Sequence, residues 1–269
     1  KKTRPMKKTL KNIVRPITPK WVKKIYTFFS IDLDDYILLP KDRLTYATDD
    51  LYTFHNADFM KDPLFIESYE LAKKVDAKHC LRKNDIPWRM HVLYWAGNYV
   101  KNIPGDFVDC GVNTGFCARS LMHYIGFEKL DKKYFLLDTF GGLDPKYSTE
   151  KELEIHKTMH YDTQDLHETV KKTFAGFNAE IIKGTVPETL PLVKTDALCF
   201  LHLDMNAALP EVSALDYFWP KISKGGVVLF DDYAYAGNHL MKETHDAWAK
   251  KHGVEILSLP TCQGLLIKS

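Results

Sequence analysis

The sequence has no C-x-x-C pair, no G-x-G-x-x-G fingerprint and no apolar run long enough to span a bilayer. Its five cysteines are Cys80, Cys110, Cys117, Cys199 and Cys262. An odd, scattered set argues against a disulfide framework or a zinc site, and buried free thiols in a reducing cytoplasm are the expectation. The missing fingerprint sets aside a plain dinucleotide site, and no secretory signal, internal repeat or low-complexity tract is visible. Acid is absent from one stretch: Lys1 to Lys24 is dense in Lys and Arg and holds no Asp or Glu, although the whole chain carries a net charge of only +2. Such an arm suits a solvated leader that packs on a neighbouring subunit of a homo-oligomer. Peripheral contact with an anionic membrane surface is the alternative. Nucleic acid is not an expected partner, because the basic run is confined to one end and lacks interleaved aromatics.

What is present is a core. With 269 residues and 45% apolar side chains, the chain can bury one large α/β domain and an appendage. Residues 1–84 read as a basic arm and a partly helical appendage. Within it, Leu44 to Phe54 reads as a loop able to fold over a site, and Asp62-Pro63 starts a helix over Leu64 to Val75. Residues 85–269 read as the main domain. It opens with a helix from Asp85 to Ile103, in which Asp85 is the expected cap, Pro87 suits the first turn, and Leu93, Ala96, Gly97 and Val100 form one stripe. Strands are then expected at 107–110, 134–138, 180–183, 197–204 and 226–230. These are near-continuous apolar runs, as in a parallel sheet covered by helices on both faces. Two more, 254–259 and 264–268, are joined by too few residues for a crossover and must be antiparallel. Five parallel strands plus a closing antiparallel hairpin form the Rossmann-like sheet of class I methyltransferases. The long connection from Asp138 to Glu180 reads as an inserted lid.

The chemistry gathers at strand ends. Gly105-Asp-Phe-Val-Asp-Cys-Gly-Val-Asn-Thr-Gly115 is a strand, a tight glycine turn and a helix start, at the sheet edge where such folds bind nucleotides. Gly111 and Gly115 let backbone approach a ligand closely. The next strand, Tyr134-Phe-Leu-Leu-Asp138, ends in a carboxylate suited to ribose hydroxyls. A glycine turn and a ribose acid without a phosphate cradle point to S-adenosylmethionine. The candidate cofactor residues are Asp109, Gly111, Asn113, Thr114, Gly115, Asp138, Thr139, Phe140 and Arg89. Phe140 would pack on the adenine, and Arg89 would pair with the cofactor's carboxylate or serve as an ordinary surface arginine. Two further strands end in Asp204 and in Asp231-Asp232. Three converging carboxylates repel, and a divalent cation relieves that repulsion. Oxygen-only ligands with room for water favour Mg²⁺ or Mn²⁺. Glu211, on the helix after Asp204, reads as solvated or capping.

Together with Thr139-Phe140-Gly141-Gly142, His202-Leu-Asp204, Gly225-Gly-Val-Val-Leu-Phe-Asp-Asp-Tyr233 and Gln263-Gly-Leu-Leu, these motifs resemble the macrocin O-methyltransferase family from about Asp85 onward. The resemblance implies that Asp204, Asp231 and Asp232 hold Mg²⁺, and that Gly111 to Gly115 and Asp138 hold S-adenosylmethionine. It also shows a departure. The antibiotic branch has an aspartate, proposed as general base, where this chain has Asn206, and the lysine of catechol O-methyltransferase corresponds to Ala207. An amide takes no proton at neutral pH. His239, His202 and His160 are the remaining candidates for the base, with His239 first. The expected function is Mg²⁺-dependent methylation of a sugar hydroxyl in a glycan or glycosylated metabolite, by a cytoplasmic enzyme. Methylation of a phenol or another small-molecule hydroxyl, and a catalytically silent binding protein, are the alternatives.

Overall fold

The computed structural model describes residues 39–76, 85–157, 165–237 and 239–269. The basic arm, Cys80 and His160 lie outside the described residues. Residues up to Leu44 cluster as one unit, of which a single turn, Lys41–Arg43, is described; Thr45–Ser269 forms the other unit.

The second unit is built on a seven-stranded sheet. Its elements are β1 (Tyr46–Thr48), β2 (Leu51–Thr53), α1 (Pro63–Asp76), α2 (Pro87–Val100), β3 (Asp106–Cys110), α3 (Phe116–Ile125), β4 (Tyr134–Asp138), α4 (Glu150–Lys157), α5 (Leu166–Phe174), β5 (Ala179–Lys183), β6 (Leu198–Leu203), α6 (Ala208–Phe218), β7 (Ile222–Phe230), α7 (His239–His252), β8 (Leu257–Ser258) and β9 (Gly264–Ile267). The sheet order is β5-β4-β3-β6-β7-β9-β8, and β1 and β2 form a separate antiparallel pair. Strands β3 to β7 pair in parallel, whereas β9 runs antiparallel to β7 and to β8. This is the expected sheet, with the penultimate strand cut to two residues because Val254, Glu255, Ile256 and Leu259 lie outside the ladder.

The continuous apolar runs follow from burial on both faces. Phe107, Tyr134, Leu136, Phe200, Val227 and Leu229 point into one core with α1, α2, α3 and α5. Val108, Cys110, Phe135, Leu137, Leu201, Leu203, Val228 and Phe230 point into the other with α6 and α7. Along each strand the residues alternate between the two cores, as the period of the pleat requires, except at Cys199 and Phe200, where β6 shifts register and both face the same core. Cys110, Cys117, Cys199 and Cys262 are free thiols.

Two local expectations change. Asp62 does cap α1, accepting from the Phe65 amide at 2.8 Å. Asp85 does not cap α2; its carboxylate accepts from the Tyr69 hydroxyl at 3.2 Å and lies 3.1 Å from the Lys73 ammonium. The cap position of α2 is Ile86 instead, whose amide donates to the Tyr69 hydroxyl at 2.9 Å. The stretch 44–54 is a β-hairpin rather than a loop. Asp49 and Asp50 both take positive φ, 52° and 54°, the twist that a two-residue hairpin turn needs. The hairpin is fixed to α2 by Thr48, which donates to the Asp85 carbonyl at 2.9 Å, and by an edge-on contact of Tyr46 with Trp88.

Helices α2 and α3 pack closely because Gly97 has no side chain: a Cβ there would lie 2.5 Å from a methyl of the fully buried Leu121. Gly97→Val should cost roughly 1–3 kcal/mol through overpacking, read as a lower urea midpoint; an unchanged midpoint would refute this packing.

Candidate active site

The carboxyl edge of the sheet is built by register. Leu203 on β6 pairs with Phe230 on β7, so the next residues, Asp204 and Asp231, leave the sheet side by side. Their amides still extend the ladder: Asp204 donates to the Cys110 carbonyl and Asp231 to the Leu203 carbonyl, both at 2.9 Å. With Asp232 they form a group in which one carboxylate oxygen from each lies within 4.8 Å of the others. The structure thus brings together all three expected metal ligands.

Such crowding carries an electrostatic cost, visible at Asp232. Burial, and then the neighbouring Asp231 charge, push its pKa up to about 6. Arg89 offsets part of it. Its Nη1 donates to Asp231 Oδ2 and to Asp232 Oδ1, each at 2.9 Å, and its Nε donates to Asp49 Oδ2 at 2.7 Å. The guanidinium is a fork, and here it holds the hairpin tip and the strand-end acids at once. Gln263, in the turn before β9, donates to the other oxygen of Asp231 at 3.0 Å, and its own oxygen accepts from Thr261 at 2.9 Å. Arg89, expected to meet the cofactor or solvent, is instead buried among aspartates.

On the neighbouring strands the second half of the site is arranged by backbone. Asp138 accepts from the Asn113 amide at 2.8 Å through one oxygen and from the Phe140 amide at 2.6 Å through the other. Burial raises its pKa, and these amides oppose the rise. A carboxylate has about four lone-pair sites, so two remain to accept further hydrogen bonds. Asn113 and Phe140 hold positive φ, 50° and 49°, to aim those amides, and Asn206 after Asp204 does likewise at 56°. Non-glycine residues strained in this way gather at functional edges.

The glycines are explained by the protein's own chain. A Cβ on Gly111 would lie 2.0 Å from the Asp204 carbonyl oxygen, and one on Gly115 would lie 2.7 Å from the Phe174 ring. Thr114 donates to Asp76, the last residue of α1, at 2.9 Å. Thr139 donates to the Gly142 carbonyl at 2.6 Å and closes the turn after Asp138. Asp109 and His202 are register partners on β3 and β6 and are engaged with each other, Oδ1 to Nδ1 at 2.9 Å, fully buried on the face toward α1, α2 and α3. Burial alone would lower the His202 pKa, but Asp109 overcomes it and raises the value to about 9. A histidine that holds its proton at neutral pH suits a fixed donor better than a base. His239 is the first residue of α7 and is exposed. Of these two histidines, His202 is buried and His239 is open to solvent.

Several residues at this edge were not marked as functional in the sequence. Asp49 and Gln263 hold the acid group, and Glu211 is buried rather than solvated. It accepts from the Met205 amide at 3.0 Å and lies 3.1 Å from the buried His245. A pair of aspartates flanked by alternating Tyr and Thr was the available signal for the hairpin; nothing local marked Glu211.

The sheet order and the acids at its carboxyl edge define a class I methyltransferase-type fold. The profile of the Macrocin-O-methyltransferase (TylF) family matches residues 89–256, well over half of the sequence, and the chain belongs to that family. It is similar to demethyldecarbamoylnovobiocin O-methyltransferase of Streptomyces niveus, 25% identical over 142 residues, 49% of this chain and 54% of that protein. It is also similar to 8-demethyl-8-(2,3-dimethoxy-alpha-L-rhamnosyl)-tetracenomycin-C 4'-O-methyltransferase of Streptomyces olivaceus, 26% identical over 144 residues with the same coverage. The chain thus spans about half the length of these relatives. Among solved structures, the O-methyltransferase NovP superposes with a TM-score of 0.58 at 20% identity, covering 67% of this chain and 79% of that one, a likeness of fold.

Removing Arg89 would leave buried aspartates without their counter-charge. Arg89→Ala should destabilise the protein by roughly 3–5 kcal/mol in chemical denaturation, and Arg89→Lys should recover only part because a point charge cannot fork. A loss below about 1 kcal/mol would overturn the bridging role.

Proposed function

We propose that this chain transfers a methyl group from S-adenosylmethionine to a hydroxyl of a sugar in a glycan or glycosylated metabolite, with Mg²⁺ or Mn²⁺ at Asp204, Asp231 and Asp232. The observation that carries the reading is the juxtaposition along one sheet edge, in the order β4-β3-β6-β7, of a backbone-braced carboxylate and a group of three aspartates within 4.8 Å. The donor set fits a hard cation. All its atoms are carboxylate oxygens, and burial and the neighbouring Asp231 charge raise the pKa of Asp232 in spite of Arg89. Methylation of a sugar is favoured by the family and by the rhamnosyl group in the name of one relative.

Each residue then has a task. The Asn113 and Phe140 amides orient Asp138, whose remaining lone pairs accept the two ribose hydroxyls. Gln263 and Arg89 fix the two oxygens of Asp231, and Arg89 also fixes Asp232, so these side chains need no reorganisation when the acceptor arrives. A divalent cation, when bound, lowers the pKa of a hydroxyl and orients it. Placing that hydroxyl in line with the sulfonium methyl is the larger part of such catalysis.

Two measurements test this. Asp138→Ala should weaken S-adenosylmethionine binding about ten- to a hundredfold in calorimetry, the worth of one charge-assisted hydrogen bond; unchanged affinity would refute the ribose assignment. Methyl transfer from labelled cofactor to a panel of neutral and amino sugars, free and glycosidically linked, should stop in EDTA and return with Mg²⁺ or Mn²⁺. Asp204→Ala should lose transfer and keep cofactor affinity. Full turnover in EDTA would exclude the metal role.

A further inference from the structure

Helix α4 lies in the long connection between β4 and β5 and touches both halves of the edge. It opens with a capping box: Glu152 Oε2 accepts from the Thr149 amide at 2.7 Å and from the Thr149 hydroxyl at 2.8 Å, and the Glu152 amide donates back to that hydroxyl at 3.3 Å. The second oxygen of the same carboxylate leaves the helix. Glu152 Oε1 accepts from the amide of Ala208 at 2.9 Å. Ala208 is the first residue of α6, and the residue before it, Ala207, has no side chain able to cap. Both alanines are buried, at 0% and 5% exposure, so water cannot satisfy that amide in place of Glu152. Glu152, itself 5% exposed, therefore caps two helices with one carboxylate, one of them in a different part of the chain.

The helix that it caps in this way begins directly after the strand-end acid. Between Asp204 and Ala208 the backbone is held at four places. Asp204 donates to Cys110, Met205 donates to Glu211, Asn206 is forced to positive φ, and Ala208 donates to Glu152. The first three constraints come from the sheet and from α6 itself; Glu152 is the one that comes from the insertion. One turn further along α4, His156 packs against the turn after Asp138: a Cβ on Gly142 would lie 2.9 Å from the imidazole Cε1. Gly142 in turn accepts from Thr139. One short helix thus meets the turn that carries the ribose acid and the loop that carries the first metal aspartate.

We propose that Glu152 is a positioning residue that fixes the backbone behind Asp204, and that through α4 it links the affinity for cofactor beside Asp138 to the affinity for metal at the three aspartates. The proposal rests on the metal and cofactor assignments above. Linkage is reciprocal, so cofactor should tighten metal binding by the same factor by which metal tightens cofactor binding.

The test is calorimetric titration of Mn²⁺ into the full chain, with and without S-adenosylhomocysteine. For the wild type, the product should tighten Mn²⁺ about fivefold or more. Glu152→Ala should weaken Mn²⁺ by about tenfold and abolish the enhancement, because the Ala208 amide is left unpaired. Glu152→Gln retains a carbonyl oxygen for the Ala208 amide but offers the Thr149 amide an NH2 group that cannot accept, so it should weaken Mn²⁺ less than Glu152→Ala and keep part of the enhancement. If Glu152→Ala does not fold, Glu152→Asp serves, since its side chain is one methylene too short to reach both Thr149 and Ala208; it should weaken Mn²⁺ and reduce the enhancement. Wild-type affinity and enhancement in the Ala variant, or in the Asp variant where Ala does not fold, overturn the proposal while leaving the metal assignment intact. Absence of Mn²⁺ binding to the wild type, matched by Asp204→Ala, overturns the metal assignment and the proposal with it.

Discussion

Asp49, Asp231 and Asp232 meet around one guanidinium, Asp204 stands within 4.8 Å of the last two, and the rest of the edge is arranged to tolerate that crowding of four acids. Arg89 bonds to three of them and is itself buried. A buried ion group of this kind gives little net stability, because desolvation cancels most of the attraction, yet removing one partner leaves an uncompensated charge. The hairpin, α2, the end of β7 and the turn before β9 are therefore tied to one another by a shared electrostatic requirement. Gln263 adds a neutral donor to the oxygen of Asp231 that Arg89 does not take. The remaining negative charge suits a hard cation and gives the site its proposed chemistry.

The two ends of the edge solve different problems with similar means. At Asp138 the backbone does the work: two amides aimed by strained residues hold the carboxylate still. At Asp204 the loop is fixed from outside by the buried acids Glu211 and Glu152. Between them, Gly111 brings β3 so close to the Asp204 carbonyl that no side chain fits. The glycine turn is thus required by the meeting of two strand ends, whatever ligand lies above it.

Much of this was legible in the sequence, and for identifiable reasons. Strands β4, β6 and β7 are buried on both faces, so their near-continuous apolar runs end abruptly in acid. The three converging aspartates and Asp138 are read from those ends. The hairpin was not legible as such, because Thr, Tyr and Asp in short alternation suit a loop equally well until Asp49 and Asp50 are seen in the left-handed region. The partners of Arg89, Glu211 and Glu152 were beyond reach for a different reason. Each of these three is a charged residue on a helix, and a charged residue on a helix normally faces water. Their partners lie 142, 6 and 56 residues away, and only the closed sheet brings the distant ones together. Gln263 belonged to a recognisable motif without a legible task, since its partner Asp231 is 32 residues earlier on another strand.

The sequence separations also order events in time. Asp49 and Arg89 are synthesised well before the acids at the ends of β6 and β7, and Gln263 comes later still, 174 residues after Arg89, whose carbonyl it reaches. A nascent chain that has emerged only as far as β6 has made the guanidinium but not Asp231 or Asp232. A buried arginine without its counter-charge is costly, so α2 and the hairpin gain little from docking early. Closure of so non-local a group comes late in folding. The acid edge is therefore fully hydrogen-bonded only when the antiparallel strand β9 has entered the sheet beside β7, and a chain stopped short of that strand would carry the acids and their guanidinium without the Gln263 amide that completes their arrangement.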